Sequence, residues 1–194
     1  MTERQIIQPE IRKKKYSLKE FTEFVKNKED RYELIDGEIH MMASPSMDHQ
    51  DIAGFIYAEL RKYLKDKPCK PFIAAFDVFL FEKKNKSKCQ NVFQPDVFVV
   101  CNKNKMTQRG INGAPDFVVE IVSPSNSEHD YIDKLHAYMK HGVKEYWIVN
   151  PMTKKIFVYI KEKKEVNICQ YTFSDTIKVS IFNDFSIDFK ELQI

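Results

Sequence analysis

Apolar residues recur along this chain with the two spacings that distinguish helices from strands. Helical spacing occupies three stretches: residues 18–27, the residues after Ser46 as far as Leu64, and the residues between Ser127 and Gly142. The first stretch begins with a capping box, because the side chains of Ser17 and Glu20 can each accept a hydrogen bond from the other residue's backbone N–H. The sequence therefore predicts three amphipathic helices.

Other apolar runs predict strands. Asp36-Gly37 is the two-residue turn favoured in a β-hairpin, here within RYELIDGEIHMMA. The run from Pro71 to Phe81 is apolar on both faces, as in a covered central strand. The remaining predicted strands are QPDVFVV, PDFVVEIVS, VKEYWIVN, KKIFVYI, VNICQYTF and TIKVSIF. The basic run KKNKSKCQN is predicted to be a solvated turn, and residues 102–114 a long polar loop.

The order of these elements predicts a mixed α/β or α+β domain, with one principal mixed sheet flanked by helices. The strand, helix and strand between Pro115 and Asn150 have the pattern of a right-handed crossover that joins parallel strands. The last strands are joined by short turns and are predicted to be antiparallel. Residues 1–16 are predicted to form a loose N-terminal arm, and residues 17–194 a single domain.

Composition and charge narrow the function classes only a little. The 194 residues are 43% hydrophobic, which is enough for a substantial core. The formal net charge of +3 creates no overall field that would require nucleic acid or a membrane as a partner. No apolar run has the length of a signal peptide or a membrane span, so we expect a cytoplasmic protein without a membrane partner. The four cysteines lack zinc-type spacing and are expected to be reduced thiols.

Two acidic residues interrupt strands that are otherwise predicted to be buried. These are Asp96 in QPDVFVV and Glu120 in PDFVVEIVS. An ionised carboxylate is costly to bury unless it is paired or bound to a metal. Acids on adjacent strands could share a hard cation such as Mg²⁺. Asp116 lies about 13 Å from Glu120 along the same strand and is interpreted as a strand-start residue outside this site.

Lys134 lies on the apolar side of the third predicted helix, and two interpretations stay open. Its stem could cover the core while its amine reaches water. Alternatively, if the helix packs on the sheet near the strand ends, the amine could approach the two acids and hold a water molecule or stabilise phosphate charge.

Several motifs follow one another along the chain. They are YELIDGEI, His49 opening a helix, PDVFVV, PDFVVEIVSPS, the D-x-x-x-K spacing of Asp130 and Lys134, Tyr138, and GVKEYWIVNP. Together they resemble the Uma family of endonucleases, within the PD-(D/E)xK nuclease superfamily, over residues 16–165. The resemblance implies a restriction-endonuclease-like core and hydrolysis of DNA phosphodiester bonds with Mg²⁺, or with Mn²⁺ in its place. Nucleases that cut both strands often work as dimers, so a homodimer is expected by analogy.

The resemblance also assigns roles to individual residues. Asp96 matches the metal-binding aspartate, and Glu120 matches the acid of the (D/E)xK element and is the second metal ligand. Val122 occupies the usual lysine position of that element, and Lys134 is the implied replacement. Either Glu38 or Glu33 matches the additional acid near the N-terminus, with Glu38 preferred.

His49 matches the helix-start histidine of the family. It completes the implied catalytic set of Asp96, Glu120, Lys134, Glu38 and His49. Because histidine titrates near neutrality, His49 could contact a metal or a substrate phosphate. A histidine satisfied within the core is the alternative interpretation.

Three hypotheses about function follow from these residues. The first is a Mg²⁺-dependent endonuclease that acts on DNA. The second is a non-catalytic module that keeps the nuclease fold and binds nucleic acid or protein through its basic arm and lysine-rich loops, with salt-dependent affinity for DNA. The third makes Asp96, Glu120 and Lys134 a buried structural network.

Overall fold

The computed structural model describes residues 14–82, 85–123, 128–163 and 165–194, and within these ranges it contains three α-helices. They are α1 (Leu18–Val25), α2 (Met47–Tyr63) and α3 (Glu128–His141). The predicted capping box between Ser17 and Glu20 is confirmed at the start of α1. Residues 1–13 of the predicted arm and the predicted helix start at Ser127 lie outside the described residues. Among the described helices, none combines the length and apolar character needed to cross a membrane.

The strands of the described residues form two larger sheets and one small hairpin. In chain order they are β1 (Tyr32–Ile35), β2 (Glu38–Met41), β3 (Lys70–Ile73), β4 (Asp77–Glu82), β5 (Asn85–Phe93), β6 (Val97–Val100), β7 (Gly110–Asn112), β8 (Phe117–Ile121), β9 (Glu145–Asn150), β10 (Lys155–Glu162), β11 (Glu165–Thr172), β12 (Thr176–Lys178) and β13 (Ser186–Asp188). The first sheet has the order β2-β1-β5-β4-β7, and the second has the order β11-β10-β9-β8-β6-β3. Strands β12 and β13 pair with each other.

The predicted mixed α+β class is confirmed. Strands β8 and β9 are parallel and are connected through α3, as the crossover pattern predicted. Strands β9, β10 and β11 are antiparallel, as their short connections predicted. The prediction of one principal sheet is wrong, because the strands before β6 divide between two sheets.

The predicted strand from Pro71 to Phe81 is in fact two strands in different sheets. Strand β3 pairs with β6 in the second sheet, whereas β4 pairs with β5 in the first. Both strands are largely apolar, so the hydrophobic pattern runs through the bend between them without a break. Periodicity reports which residues are covered, but it does not report which sheet covers them.

Two predicted loops also contain strands. The basic run predicted to be a solvated turn belongs largely to β5, whose backbone pairs with β4 and, at one position, with β1. The predicted loop 102–114 contains a short 3-10 helix and β7, which pairs in parallel with β4. Charged or polar side chains lower strand propensity, but pairing with neighbouring backbone overrides that preference.

The expectation of four reduced cysteines is wrong for one pair, because Cys69 and Cys101 form a disulfide. The pairing of β3 with β6 explains it. Lys70 is the register partner of Val100, so the next residues outward, Cys69 and Cys101, face each other across the two strands. The cysteines are 32 residues apart in the chain, and only the register of the folded sheet brings them together.

The second sheet is covered on both faces, and this positions the candidate site. One core cluster joins α2 to alternate residues of β6, β8 and β9, including Val97, Val119 and Trp147. Another joins α3 and strands of the first sheet to the opposite face, which includes Val118. Trp147 is fully buried in the first of these clusters. Its indole N–H donates to Glu145 at 2.7 Å inside the core.

Candidate active site

Asp96 lies immediately before β6, at the point where that strand meets β8. Its Oδ2 atom accepts a hydrogen bond from the backbone N–H of Ile121 at 2.7 Å. Val97 pairs with Val119, so continuing the antiparallel register by one residue brings Asp96 opposite Glu120. The two acids therefore lie side by side, as predicted, with Asp96 just before β6 and Glu120 within β8. Asp96 is only 7% exposed.

Glu120 lies on the face of β8 that packs against α3. Its Oε1 atom accepts two hydrogen bonds, one from the Tyr138 hydroxyl at 3.0 Å and one from the Lys134 ammonium at 3.3 Å. Both donors come from α3 and are one helical turn apart, so they reach the same carboxylate. Because both donate to one oxygen, α3 fixes the orientation of the carboxylate through Oε1.

Lys134 reaches the acids with its amine, as one of its two interpretations proposed. Its ammonium lies 2.8 Å from Glu33 Oε2 as well as 3.3 Å from Glu120 Oε1, and its side chain is 5% exposed. The other oxygen of Glu33 accepts from the backbone N–H of Gln94 at 2.8 Å. The alternative of a lysine whose amine reaches water is therefore wrong. Lys134 joins acids from both sheets.

Glu33, and not the preferred Glu38, is the N-terminal acid that meets this cluster. Glu38 lies on β2 beside the hairpin turn, opposite Ile35 of β1. Ile35 is two residues after Glu33 on β1, so Glu38 lies closer to the turn than Glu33 does. There its Oε1 atom lies 3.2 Å from the ammonium of Lys15, a residue of the predicted loose arm. Both glutamates face the same side of a short hairpin, so alternation could not separate them. The role proposed for Glu38 stays a prediction, but the geometry favours Glu33.

His49 lies in the first turn of α2 and contacts the site directly. Its Nε2 atom is 3.2 Å from Asp96 Oδ2, the oxygen that also accepts from Ile121. Its Nδ1 atom is buried, and no described residue forms a hydrogen bond with it. The interpretation of His49 as a histidine satisfied within the core is therefore wrong. The residue holds one side of the Asp96 carboxylate.

Burial and mutual repulsion set the charge of the cluster. Burial raises the pKa of the Glu120 carboxyl. Lys134 opposes that rise, while the carboxylates of Asp96 and Glu33 add to it, and the pKa stays above its ordinary range. Burial would lower the pKa of the Lys134 ammonium, but attraction to Glu120 and Glu33 outweighs burial and raises it. Lys134 therefore stays charged, and in the described part of the chain it is the permanent cation that Glu33, Asp96 and Glu120 attract.

The donor set fits a hard divalent cation. Among the described residues, Asp96 Oδ1 and Glu120 Oε2 have no hydrogen-bond partner, because the protein contacts fall on the other oxygen of each carboxylate. Within the same ranges, no three His, Cys, Asp or Glu side chains converge as a complete set of metal ligands. Mg²⁺ commonly takes one or two carboxylates and keeps several waters. Two carboxylate oxygens are therefore a sufficient protein contribution.

A small cavity of about 50 Å³ opens beside these residues. Its walls include Glu33, Asp96, Glu120, Lys134 and His49. Three further polar residues of the wall were not predicted from the sequence, and these are Arg31, His40 and Ser123. A signal existed for two of them. Arg31 precedes Glu33 by two residues and so shares its face of the strand, and His40 is the register partner of Glu33.

Two other acids have protein partners outside the pair formed by Asp96 and Glu120. Asp116, interpreted as a strand-start residue, accepts from the backbone N–H of Cys101 at 2.8 Å and pairs with Lys144 at 2.8 Å. Asp77 accepts from the Gln94 side-chain amide at 2.9 Å, and burial raises the pKa of its carboxyl. The contacts of Asp116 agree with its interpretation as a strand-start residue.

Comparisons with known proteins agree with the fold. The model of the Uma2 family, described as "Putative restriction endonuclease", matches residues 18–190. A protein of Synechocystis sp., described only as uncharacterized, is 26% identical over 177 residues, which are 90% of either chain. A crystal structure from Anabaena variabilis, described as "a putative nuclease belonging to DUF820", has a TM-score of 0.73 and 21% identity over 91% of this chain and 96% of the other. That likeness confirms the predicted fold class.

Proposed function

We propose that this chain, which belongs to the Uma2 family, is a Mg²⁺-dependent endonuclease that hydrolyses phosphodiester bonds of DNA. One observation carries the proposal. Glu33, Asp96 and Glu120 meet Lys134 beside a cavity, although they come from separate elements. A purely structural ion pair needs one acid for each cation, and this cluster contains an excess of acids that a divalent ion would balance.

Asp96 and Glu120 are the residues that would hold the metal. A bound Mg²⁺ lowers the pKa of a water molecule and stabilises negative charge on phosphate oxygens. The contacts of Asp96 with Ile121 and His49, and of Glu120 with Tyr138 and Lys134, all fall on one oxygen of each carboxylate and leave the other oxygen available to a metal. The protein therefore supplies preorganised ligands, which do not have to reorient during the reaction.

Lys134 is the residue best placed to act on the attacking water or on the phosphate. Its ammonium has three N–H donors, and Glu33 and Glu120 engage two of them. Lys134 also lines the cavity, so its third donor is the one available to orient a water molecule or to stabilise charge on a phosphate oxygen. Because its pKa is raised, Lys134 acts as a fixed positive charge and not as a base.

A plasmid-cleavage assay tests the proposal, because a closed circle is cut only by an endonuclease. We expect wild-type protein to cleave supercoiled DNA with Mg²⁺ or Mn²⁺ and to lose this activity in EDTA. Glu120→Gln should lower the rate by roughly 100-fold or more, since it removes a metal ligand while it keeps the side-chain shape. Thermal unfolding of each variant establishes that it is folded.

A matched pair of variants tests which glutamate belongs to the site. Glu33→Gln should reduce cleavage strongly, because Glu33 binds Lys134, whereas Glu38→Gln should leave cleavage near the wild-type rate. Wild-type protein that binds DNA in a salt-dependent manner but never cuts it would overturn the proposal. That result would identify the non-catalytic module instead.

A further inference from the structure

Arg31 lines the cavity but takes no part in the network of acids. It lies directly before β1, and its backbone carbonyl accepts from the N–H of Met42 at 2.9 Å on the other arm of the hairpin. Alternation places its side chain on the same face as Glu33. Both side chains line the cavity, together with Lys134. The hairpin therefore positions the guanidinium of Arg31 beside the acids of the candidate site.

The guanidinium of Arg31 is uncommitted. Within the described residues it forms no ion pair and no side-chain hydrogen bond, although three carboxylates line the same cavity. Lys134, by contrast, already binds Glu33 and Glu120. An anion that enters this cavity needs a positive group whose charge the protein does not already neutralise. Among the lysine and arginine residues lining the cavity, Arg31 meets that condition.

We infer that Arg31 is a substrate-binding residue whose guanidinium binds oxygens of a backbone phosphate of the nucleic acid. The inference rests on the proposed function and adds the contact that holds the substrate. Arginine suits this role because its planar guanidinium can donate two parallel hydrogen bonds to a phosphate. The cavity of about 50 Å³ is lined largely by charged and polar side chains, which suits phosphate oxygens and water.

Equilibrium binding of a fluorescent DNA duplex tests the inference in Ca²⁺, with and without added inorganic phosphate. The variants are Arg31→Ala, Arg31→Lys and the matched control Arg61→Ala. Arg61 is an exposed arginine twelve residues beyond His49 on α2, which is about 18 Å along the helix. Circular dichroism and thermal unfolding confirm that each variant is folded. Arg31 lies outside the buried core, so its replacement should not prevent folding.

We expect Arg31→Ala to weaken binding about ten- to a hundredfold, as loss of a charge-assisted hydrogen bond does. The slope of log affinity against log salt should fall by about 0.9, because one fewer phosphate is neutralised. Arg31→Lys should bind DNA with an affinity between those of wild type and Arg31→Ala, since lysine keeps the charge but cannot donate two parallel hydrogen bonds to one phosphate. Arg61→Ala should change affinity less than about twofold, and phosphate at the same concentration as DNA phosphate should not compete.

Three results would overturn the inference, and they are distinguishable from failure of the proposed function. If wild type and Arg31→Ala had equal DNA affinity and equal salt dependence, and DNA cleavage were intact, the contact between Arg31 and phosphate would be excluded while the proposed function would stand. An equal or larger loss in Arg61→Ala would place binding at the other end of α2. Release of DNA by matched phosphate would make the site one for free phosphate. Wild-type protein that neither binds nor cuts DNA would exclude both the proposed function and this contact.

Discussion

Among the described residues, Lys134 is the one buried lysine or arginine of the candidate site. Its ammonium lies 2.8 Å from Glu33 and 3.3 Å from Glu120, with all three side chains 5% exposed. Lys144 forms an ion pair of similar length with Asp116, at 2.8 Å, but its side chain is 64% exposed. Comparing the two lysines therefore separates the contribution of burial to stability from the contribution of ion pairing.

Replacing Lys134 by methionine should lower the free energy of unfolding by about 3–5 kcal/mol, because carboxylates would remain buried without their cation. Lys144→Met should lower the free energy of unfolding by less than about 1 kcal/mol, since the Lys144 ammonium is exposed and water screens its attraction to Asp116. Urea unfolding measures both values. Equal losses in the two variants would contradict the prediction.

The loss in Lys134→Met should also depend on pH. The pKa of Glu120 is already raised in the folded protein, and Lys134 opposes that rise, so removing Lys134 raises the pKa further. The folded state then retains a proton that the unfolded state releases, and stability falls as pH increases above the ordinary pKa of a glutamate. Because the pKa of Glu120 is about 8 in the wild-type protein, the two proteins differ in proton binding mainly above that pH. Unfolding measured at about pH 6 and about pH 9 should therefore show the larger loss at the higher pH. A loss independent of pH would mean that removing Lys134 does not raise the pKa of Glu120 further.

At the scale of single residues, the sequence predicted only those positions that the alternation of side chains along a strand determines. Asp96 and Glu120 could be placed beside each other because each interrupts an apolar strand. Alternation could not decide which of Glu33 and Glu38 belongs to the site, because both lie on one face of the hairpin. Contacts made across the fold decide it, with Lys134 for Glu33 and with Lys15 for Glu38.

At the scale of elements, local signals predicted helices and turns well and sheet membership poorly. The capping box of α1, the Asp36-Gly37 turn and the crossover from β8 to β9 depend on residues near one another in the chain, and all are present. The division between β3 and β4, the pairing of β5 and the Cys69–Cys101 disulfide depend on distant partners. Such pairings are set by register, which a single sequence specifies only weakly.

Strand β7 provides a test of one of these distant pairings. Gly110 pairs with Asp77 of β4 and has a φ of +151°. A Cβ atom at Gly110 would lie 2.4 Å from the backbone oxygen of Asp77, so alanine cannot fit without moving the strand. Gly54 lies on the exposed side of α2, where an added Cβ atom would meet nothing within 4 Å beyond its own helix backbone and chain neighbours.

Gly110→Ala should therefore lower the free energy of unfolding by about 1–3 kcal/mol, as strain at a special backbone position does. Gly54→Ala should instead raise it by about 0.5–1 kcal/mol, because alanine favours a helix interior. Denaturant unfolding of both variants measures the difference. A stabilised Gly110→Ala would show that β7 does not pair closely with β4.

At the scale of the whole molecule, the candidate site exists only when the fold is complete. Glu33 comes from the first sheet, Asp96 and Glu120 from the second, His49 from α2 and Lys134 from α3. An unfolded chain cannot present these groups together. A cation that binds them must therefore stabilise the folded state, by an amount set by its concentration relative to its dissociation constant.

This linkage gives a test of metal binding that does not depend on cleavage. At a concentration about 100 times the dissociation constant, Mg²⁺ or Mn²⁺ should stabilise the wild-type protein by about 2.7 kcal/mol. For a chain of this length, that corresponds to a rise in melting temperature of roughly 5–10 °C. Asp96→Asn should abolish the rise, because it removes a charged ligand, while the amide oxygen can still accept from Ile121.

Asp116→Asn is the matched control, since Asp116 also follows a proline before a strand of the second sheet but contacts Cys101 and Lys144. It should keep the full metal-dependent rise, whatever its own melting temperature. Each shift is measured against the same variant in EDTA, so a change in intrinsic stability does not affect the comparison. Equal shifts in wild type and Asp96→Asn would place the ion elsewhere on the protein. The cluster would then be the buried structural network, with Lys134 balancing acids that bind no metal.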